Sequence, residues 1–287
     1  MTFGIYSNSQ TDVNLQAVAE LRSFLDAKNI TYTVFEDLNQ TLSSPHSISF
    51  SSKDELISQA GVLITIGGDG TILSAIHFVA NSEVPVLGVN TGRLGFLTSL
   101  TIAEMPGLLD EILQKKFNIE ERALLDVTAS DRPDKEPEIS LNEVSVLKKD
   151  SSSMITIHAE LDGELLNTYW ADGLIISTAT GSTAYSLSCG GPIVMPGSGN
   201  LIITPIAPHN LNVRPLVIDD ESEIRLWFET RSSDLMIALD SSSRIVHDNV
   251  SIRIRKSKST IKLLRQESYS YLETLRNKLN WGLDQRN

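Results

Sequence analysis

Three glycines around one carboxylate, Gly67, Gly68 and Gly70 with Asp69, form the segment of the sequence best suited to chemistry. They follow the apolar, β-branched run 62–66, which predicts a strand buried on both faces, and they precede apolar residues at helical spacing. Glycines at such a strand-to-helix turn let a phosphate chain approach the backbone, and the amides and dipole of the helix favour anions. The turn therefore predicts a site for a phosphorylated ligand.

Asp69 needs a separate explanation, because a carboxylate repels phosphate. In phosphoryl transfer it would act as the base for an attacking hydroxyl group or contact a metal ion. The competing interpretation is a turn former or helix N-cap, which is the commoner role of Asp-Gly at a helix start. The segment by itself leaves both interpretations open.

Four further motifs follow: residues 90–97 (Asn-Thr-Gly-Arg-Leu-Gly-Phe-Leu), 141–144 (Leu-Asn-Glu-Val), 171–192, and 204–209 (Thr-Pro-Ile-Ala-Pro-His). In order and spacing, the five motifs resemble those of the bacterial NAD kinases, ATP-dependent enzymes that make NADP. The resemblance extends from Gly4 to the C-terminal helix, nearly the whole chain. It implies transfer of the γ-phosphoryl group of ATP, bound with Mg²⁺ or another divalent cation, to the 2′-hydroxyl of the adenosine ribose of NAD.

The resemblance also implies roles for individual residues. Asp69 would be the catalytic base facing the 2′-hydroxyl group, and the glycines of the turn would surround phosphates. Asn142 and Glu143 would hold the adenosine part of NAD. No protein metal ligand is expected, since the histidines outside the 204–209 motif have no metal-ligand spacing. The remaining expected nucleotide contacts are Thr71, Asn90, Gly92, Asp172, Thr180, Thr183, Ala184, Tyr185, Ser186, Leu187, Ser188, Ala207 and His209.

The hydroxyl-rich run 180–188 has a physical rationale of its own. Hydroxyl groups and amides bind phosphate and ribose without adding charge, and Tyr185 can pack against a base or a nicotinamide. Such runs also form ordinary loops and helix caps. Trp170 departs from the family pattern, since many NAD kinases carry arginine there, and Ser242 stands where many carry glutamine. Both departures concern nicotinamide recognition and the choice between NAD and NADH.

Composition limits the class of protein. A net charge of -12 and a pI near 4.9 disfavour nonspecific binding to nucleic acid or anionic membranes. Cys189 is the single cysteine, so an internal disulfide is impossible and a reducing compartment is expected. The N-terminal residues lack a signal-peptide pattern, which predicts a cytoplasmic protein. The family resemblance implies a homodimer or homotetramer.

The pattern of elements changes along the chain. Strands alternating with helices in the first third predict a Rossmann-like α/β domain, residues 1–99, joined by residues 268–287. Period-two alternation from Ile155 predicts an antiparallel, sandwich-like β-rich domain over residues 100–267. Leu272, Leu275 and Leu279 predict an amphipathic C-terminal helix, which by resemblance returns to the first domain. The polar run 39–53 predicts a mobile surface loop, with a lid over the substrate as the alternative.

Three other functions compete with the NAD kinase interpretation. Lipid kinases of the diacylglycerol or sphingosine type share the Gly-Gly-Asp-Gly-Thr motif, but they need membrane access, which the acidic composition disfavours. A noncatalytic nucleotide sensor could keep the fold, although retention of Asp69 argues for catalysis. A dehydrogenase is disfavoured because the first strand and helix lack a G-x-G-x-x-G turn.

Overall fold

The apolar runs of the first hundred residues form strands and helices in alternation. The computed structural model describes residues 1–42, 46, 48–93, 95–98, 100–149, 154–230 and 234–281. The chain divides into two units, Met1–Glu121 with Ile261–Asn287 and Arg122–Thr260. The first unit opens with β1 (Phe3–Tyr6), α1 (Asp12–Ala27), β2 (Tyr32–Phe35), α2 (Glu36–Thr41), β3 (Ser49–Phe50), α3 (Lys53–Gln59), β4 (Val62–Gly67), α4 (Asp69–Val79), β5 (Val86–Asn90), β6 (Leu100–Thr101) and α5 (Met105–Leu113).

The sheet of the first unit is parallel, as predicted. Its strands lie in the order β5-β4-β1-β2-β3, with β6 beside β5. All six residues of β4 are buried, which explains their apolar, β-branched character. The helical face of α1 that carries Val18 and Leu21 packs into the same core as Ile64. The sheet therefore presents the carboxyl ends of β4 and β5 together, where ligands bind in such folds.

The prediction of a surface loop over residues 39–53 is correct for Ile48, Ser51 and Ser52, which are exposed and lie outside helices and strands. It was wrong for the two segments of this run that form regular elements. Residues to Thr41 continue α2, and Phe50 lies in β3, where its ring contacts Phe35 and Phe78. Ser52 then caps α3 in a reciprocal capping box with Glu55. Burial of the Phe50 ring stabilises a strand here although the composition of the run is polar. Residues 43–45 and 47 lie outside the described part of the chain.

The second unit is antiparallel and rich in strands, as predicted. Its strands, with one short helix, are β7 (Asn118–Ala129), β8 (Glu138–Ser140), β9 (Glu143–Lys148), β10 (Ile155–Leu161), β11 (Glu164–Ala171), β12 (Gly173–Thr178), α6 (Tyr185–Ser188), β13 (Asn200–Ile206), β14 (Leu216–Asp219), β15 (Ile224–Glu229), β16 (Asp234–Leu239), β17 (Ser242–His247) and β18 (Ile252–Arg265). Strands β7 and β18 each cross a boundary of the unit.

Two layers of strands enclose the core of this unit. One is a six-stranded sheet in the order β14-β13-β12-β9-β16-β17, and the other runs β11-β10-β15-β18. Val144 and Ile176 from the first layer share one core with Ile157 and Leu226 from the second. Every strand contact within these two layers is antiparallel. The arrangement is a β-sandwich.

Several strand bounds differ from expectation. The apolar pattern of residues 139–147 predicts a single strand, but a turn at Leu141-Asn142 separates β8 from β9. The apolar runs 250–255 and 260–264 predict two separate strands, but β18 continues through the polar residues between them, where Ser257 is buried. The sequence pattern missed β14 and β17, whose residues are largely exposed and lack a strong apolar alternation.

The chain returns to the first unit at its C-terminal end. Leu263 of β18 pairs with Val86 of β5, and α7 (Tyr271–Leu279) follows. This helix is in the unit where it was expected, but only Leu275 of the three predicted leucines is buried, whereas Leu272 is 51% exposed. In the described part of the chain, no helix is long and apolar enough to cross a membrane.

The first unit extends further than the residues proposed from the sequence. Its N-terminal segment runs to Glu121 rather than to residue 99, and its C-terminal segment starts at Ile261 rather than at residue 268. The physical reason is that α5 contributes Leu108 and Ile112, and the end of β18 contributes Leu264, to the core of the parallel sheet.

Candidate active site

The glycine turn lies where β4 ends and α4 begins. Gly67 has φ 151, and a Cβ atom there would collide with the side chain of Thr71. Apart from the adjacent residues and the backbone of the helix itself, no described atom lies within 4 Å of a Cβ built at Gly68 or Gly70, so the surface above the turn is open. Gly68 is the N-cap residue, and Asp69 is the first residue of the helix. Asp69 is therefore not the helix N-cap, which was one of the two roles in the competing interpretation.

The Asp69 carboxylate is held by a neighbouring loop, residues 95–98. Its Oδ1 atom accepts hydrogen bonds from the Leu97 amide (3.1 Å), the Thr98 amide (2.9 Å) and the Thr98 hydroxyl (2.9 Å). Its Oδ2 atom accepts a bond from the Phe96 amide at 2.8 Å. A Cβ atom at Gly95 would overlap the carboxylate, so glycine is required there. The carboxylate is fixed, and Oδ2 retains room for a further donor.

Asn90 and Thr71 hold the surrounding loops. The Asn90 amide group donates to the Arg93 carbonyl (2.7 Å) and to the Thr98 hydroxyl (2.9 Å), while its oxygen accepts from the Gly92 amide (2.6 Å). The Thr71 hydroxyl donates to the Asn8 side chain at 3.0 Å. Both side chains were predicted as nucleotide contacts, and in the structure both are engaged within the protein.

A second carboxylate, Asp240, is held in the second unit by the turn that precedes β9. It accepts bonds from the amides of Leu141 (2.7 Å), Asn142 (2.9 Å) and Glu143 (3.1 Å), and from the Ser140 hydroxyl (2.7 Å). Burial raises the pKa of the Asp240 carboxyl group above its ordinary value despite these donors. The contacts fix the turn that carries two predicted NAD contacts.

Glu143 is the most perturbed carboxyl group of this turn. Burial, and secondarily the charge of Asp240, raise the pKa of Glu143 from 4.5 to about 8. Its Oε2 atom is buried and has no hydrogen-bond partner among the described residues. At neutral pH the group is mostly protonated, so it can both donate and accept a hydrogen bond. A ligand with hydroxyl or amino groups would satisfy it.

The hydroxyl-rich run lies directly against this turn, because a Cβ atom at Gly181 would collide with the backbone of Asn142. Its hydroxyl groups are used unequally. Ser182 bonds to Ala179 O and Val194 O, and Ser186 is fully buried against Thr204. Ser182 was not among the predicted contacts. Of the predicted contacts in this run besides Ser186, Thr180 is buried, Thr183, Ala184 and Leu187 are partly buried, and Tyr185 and Ser188 are exposed.

Tyr185 lies near three other polar groups of the second unit. Burial raises the pKa of the Tyr185 phenol, and Cys189, Asp172 and Glu143 raise it further. Burial also raises the pKa of the Cys189 thiol, so this cysteine is not an activated nucleophile. Asp172 pairs with Lys148 at 2.6 Å. The phenol of Tyr185, the carboxylate of Asp172 and the buried carboxyl group of Glu143 are therefore close together in the second unit.

His209 and Trp170 line an open cavity of about 710 Å³ with Thr168 and residues 210–212. The His209 amide donates to the Trp170 carbonyl at 2.8 Å, and the two ring centroids are 6.5 Å apart. The Trp170 side chain is 57% exposed, so its ring is available to a ligand. Ala207 begins this loop with φ 43.

The structure thus collects the predicted residues into two groups, one in each unit. Sequence reasoning missed Thr98, Asp240 and Arg265, whose roles depend on contacts between distant segments. Thr98 directly follows a recognised motif, which is the one local signal that could have indicated it. Arg265 donates to the carbonyls of Phe96 and Leu97, which no sequence spacing reveals.

A glycine turn bearing a fixed carboxylate on a parallel sheet, and a β-sandwich bearing an unsatisfied carboxyl group, define a nucleotide-binding kinase. Family models of the ATP-NAD kinase N-terminal and C-terminal domains match residues 3–117 and 141–266. The chain therefore belongs to the NAD kinase family, whose reaction is the ATP-dependent phosphorylation of NAD.

Individual relatives agree with this assignment. The chain is 40% identical to the NAD kinase of Cytophaga hutchinsonii over 293 residues, which cover 100% of both chains. It is also similar to the structure of an Archaeoglobus fulgidus NAD kinase in complex with ATP, with a TM-score of 0.78, 26% identity, and coverage of 98% and 99%. The fold matches that of yeast NADH kinase complexed with NADH, with a TM-score of 0.88, 23% identity, and coverage of 99% and 88%.

Proposed function

We propose that Asp69 is the general base for transfer of the γ-phosphoryl group of ATP to the 2′-hydroxyl of the adenosine ribose of NAD. The observation that carries this role is the fixed carboxylate, whose Oδ1 takes three donors while Oδ2 takes one from the described residues. Phosphoryl transfer depends mainly on alignment, and a base held in place needs no reorganisation. General-base assistance contributes about a hundred- to ten-thousandfold in rate.

We infer that Asn142 and Glu143 bind the adenosine part of NAD. A buried polar atom without a partner costs about 1–3 kcal/mol, so the Glu143 Oε2 atom favours a ligand that satisfies it. A ribose hydroxyl or an adenine amino group would do so. Tyr185 and the exposed hydroxyl of Ser188 extend the same binding surface.

Mg²⁺, in this proposal, enters as part of the ATP substrate. No group of three or more His, Cys, Asp or Glu side chains in the described ranges is arranged to hold a metal ion. Mg²⁺ usually binds through substrate phosphates with one or two carboxylates. The open glycine turn beside Asp69 fits that mode, in which the cation neutralises the charge on the phosphates.

The protein is further proposed to be a cytoplasmic homodimer or homotetramer that binds neither nucleic acid nor membranes. The acidic net charge of -12 and the single cysteine support the compartment and the absence of polyanionic partners. Exposed apolar side chains on the second unit, among them Leu211 at 83% exposure, support association.

The test is direct. The purified protein is incubated with ATP, Mg²⁺ and NAD, and NADP is measured, with inorganic polyphosphate as a second donor. NADP formation that requires ATP and the metal supports the proposal. Tight NAD binding without any NADP would identify a noncatalytic nucleotide sensor instead. An equal rate with polyphosphate would revise the donor while leaving the role of Asp69 intact.

A further inference from the structure

Arg265 lies behind the loop that holds Asp69. This arginine is the last residue of β18, and its side chain is 3% exposed. Its Nη1 atom donates to the Leu97 carbonyl at 2.7 Å and its Nη2 atom to the Phe96 carbonyl at 3.3 Å. The amides on the other side of the same two peptide groups, those of Leu97 and Thr98, donate to Asp69 Oδ1. Two peptide groups therefore stand between a guanidinium and a carboxylate.

This arrangement is cooperative. The N–H and C=O of a trans peptide point in opposite directions, so a cation on the carbonyl side polarises the N–H toward an anion on the other side. The buried charge of Arg265 is balanced in turn by Glu120, which accepts from Nε at 3.0 Å. The guanidinium also lies 4.4 Å from the ring centroid of Tyr269. Three nitrogen atoms of the planar group donate at once in a fixed geometry, which the single nitrogen atom of lysine cannot reproduce.

We infer that Arg265 is a positioning residue for phosphoryl transfer, acting through the loop 95–98 on the carboxylate of Asp69. The inference rests on the proposed role of Asp69 as the base. Arg265 does not contact the reacting groups in this account. It fixes the carbonyls of Phe96 and Leu97, so that their peptide groups keep Asp69 in one orientation.

The principal test is Arg265→Lys, with kcat, the KM values for NAD and ATP, and the melting temperature measured together. We expect kcat to fall about ten- to a hundredfold, because a displacement of about 1 Å at a catalytic group has that effect. Both KM values should change by less than about twofold, since binding common to ground and transition states is retained. Glu120→Gln, which loosens the same guanidinium, should show a weaker loss of kcat in the same direction.

Arg244→Lys is the matched control. Arg244 is also nearly buried, at 12% side-chain exposure, and pairs with Asp131 and Glu138 within the second unit. Arg244→Lys should lower the melting temperature about as much as Arg265→Lys does, and it should leave kcat unchanged. If Arg265→Lys lowers the melting temperature but retains full kcat, the role of Arg265 is purely structural and the inference is wrong.

A double-mutant cycle separates this inference from the role of Asp69. In the Asp69→Asn background, Arg265→Lys should cost little further kcat, because the group on which it acts is already lost. Full additivity would show that Arg265 acts independently of Asp69 and would overturn the inference. A normal kcat in Asp69→Asn alone would instead refute the role of Asp69 as the general base.

Chemical rescue gives independent support. Guanidinium at sub-denaturing concentration should partly restore the kcat of Arg265→Ala, and it should have no such effect on Arg244→Ala.

Discussion

Asp69 and Asp240 are held in the same way, although they lie in different units. Each carboxylate accepts hydrogen bonds from the amides of three consecutive residues and from one hydroxyl group. Donors from one turn fix the position of an anion without adding a neighbouring charge. At Asp69 this arrangement positions a proposed base, and at Asp240 it positions the turn that carries Glu143.

Asp69→Asn is expected to lower kcat by about a hundredfold or more, because an amide cannot accept the ribose proton. The dissociation constant for NAD should remain close to that of the wild type. We also expect a modest loss of stability. The amide nitrogen of asparagine is a donor, so it cannot accept the hydrogen bond that the Phe96 or Leu97 amide donates to the carboxylate. The three quantities are measured on one purified variant.

Thr98→Val is the control for this prediction. It removes the hydroxyl bond to Asp69, and with it the acceptor of the Asn90 side chain and the Gly95 amide, but it keeps the carboxylate and the three amides that bind it. Its kcat should fall much less than that of Asp69→Asn. An equal loss of kcat in both variants would show that a loosened loop, rather than a missing base, lowers the rate. Near-normal kcat in Asp69→Asn would refute the role of Asp69 as the base.

Glu143 predicts a pH dependence of stability. The pKa of the Glu143 carboxyl group is about 8 in the folded protein, against an ordinary value of 4.5. Between these two pH values the folded state binds the proton more tightly than the unfolded state does. Stability should therefore fall as pH rises from 4.5 toward about 8. Glu143→Gln, which cannot ionise, should lack this part of the dependence. Melting curves without nucleotide measure it, and parallel pH profiles in the two proteins would contradict it.

Trp170 predicts a preference for NAD over NADH. A cationic oxidised nicotinamide stacked on its exposed ring would gain roughly half to 2 kcal/mol, which the neutral reduced ring does not. In Trp170→Ala, the ratio of kcat/KM for NAD to that for NADH should shrink. Leu211→Ala, on the wall of the same cavity, removes apolar area without a ring and should leave the ratio unchanged. An unchanged ratio in Trp170→Ala would exclude this role.

At the scale of elements, local patterns predicted most of the fold. The apolar run 62–66 and the glycines after it specify β4 and the start of α4 through neighbours in sequence. Sequence patterns could not predict the contacts of the loop 95–98 with Arg265, because these contacts join segments far apart in the chain. The capping box of Ser52 and Glu55 was a local signal that the polar composition around it obscured. Patterns thus predicted elements and motif residues, but not the contacts that hold Asp69, the proposed base.

A substitution at Gly95 tests whether the position of the loop 95–98 matters for turnover. A Cβ atom there would overlap the Asp69 carboxylate, so Gly95→Ala should push the loop away and lower both kcat and the melting temperature. Gly107→Ala is the control, because in α5 no described atom lies within 4 Å of the added Cβ. It should keep kcat and raise stability slightly. Unchanged kcat in Gly95→Ala would show that the position of the loop does not matter for turnover.

At the scale of the whole molecule, the proposed association is open to measurement. Light scattering at assay concentration should give the mass of a dimer or tetramer of the 31.5 kDa chain. If the oligomer is required for turnover, specific activity should fall on dilution below its dissociation constant. A fully active monomer would contradict the proposal.

The donors that hold Asp69 have a consequence for evolution. Three of the four belong to the main chain, so exchange of the side chains of Phe96 or Leu97 for other residues does not delete them. Natural variation at those two positions is therefore compatible with an unchanged position of the Asp69 carboxylate. Selection should act instead on Gly95, whose missing Cβ leaves the space, and on Arg265, whose guanidinium anchors the loop.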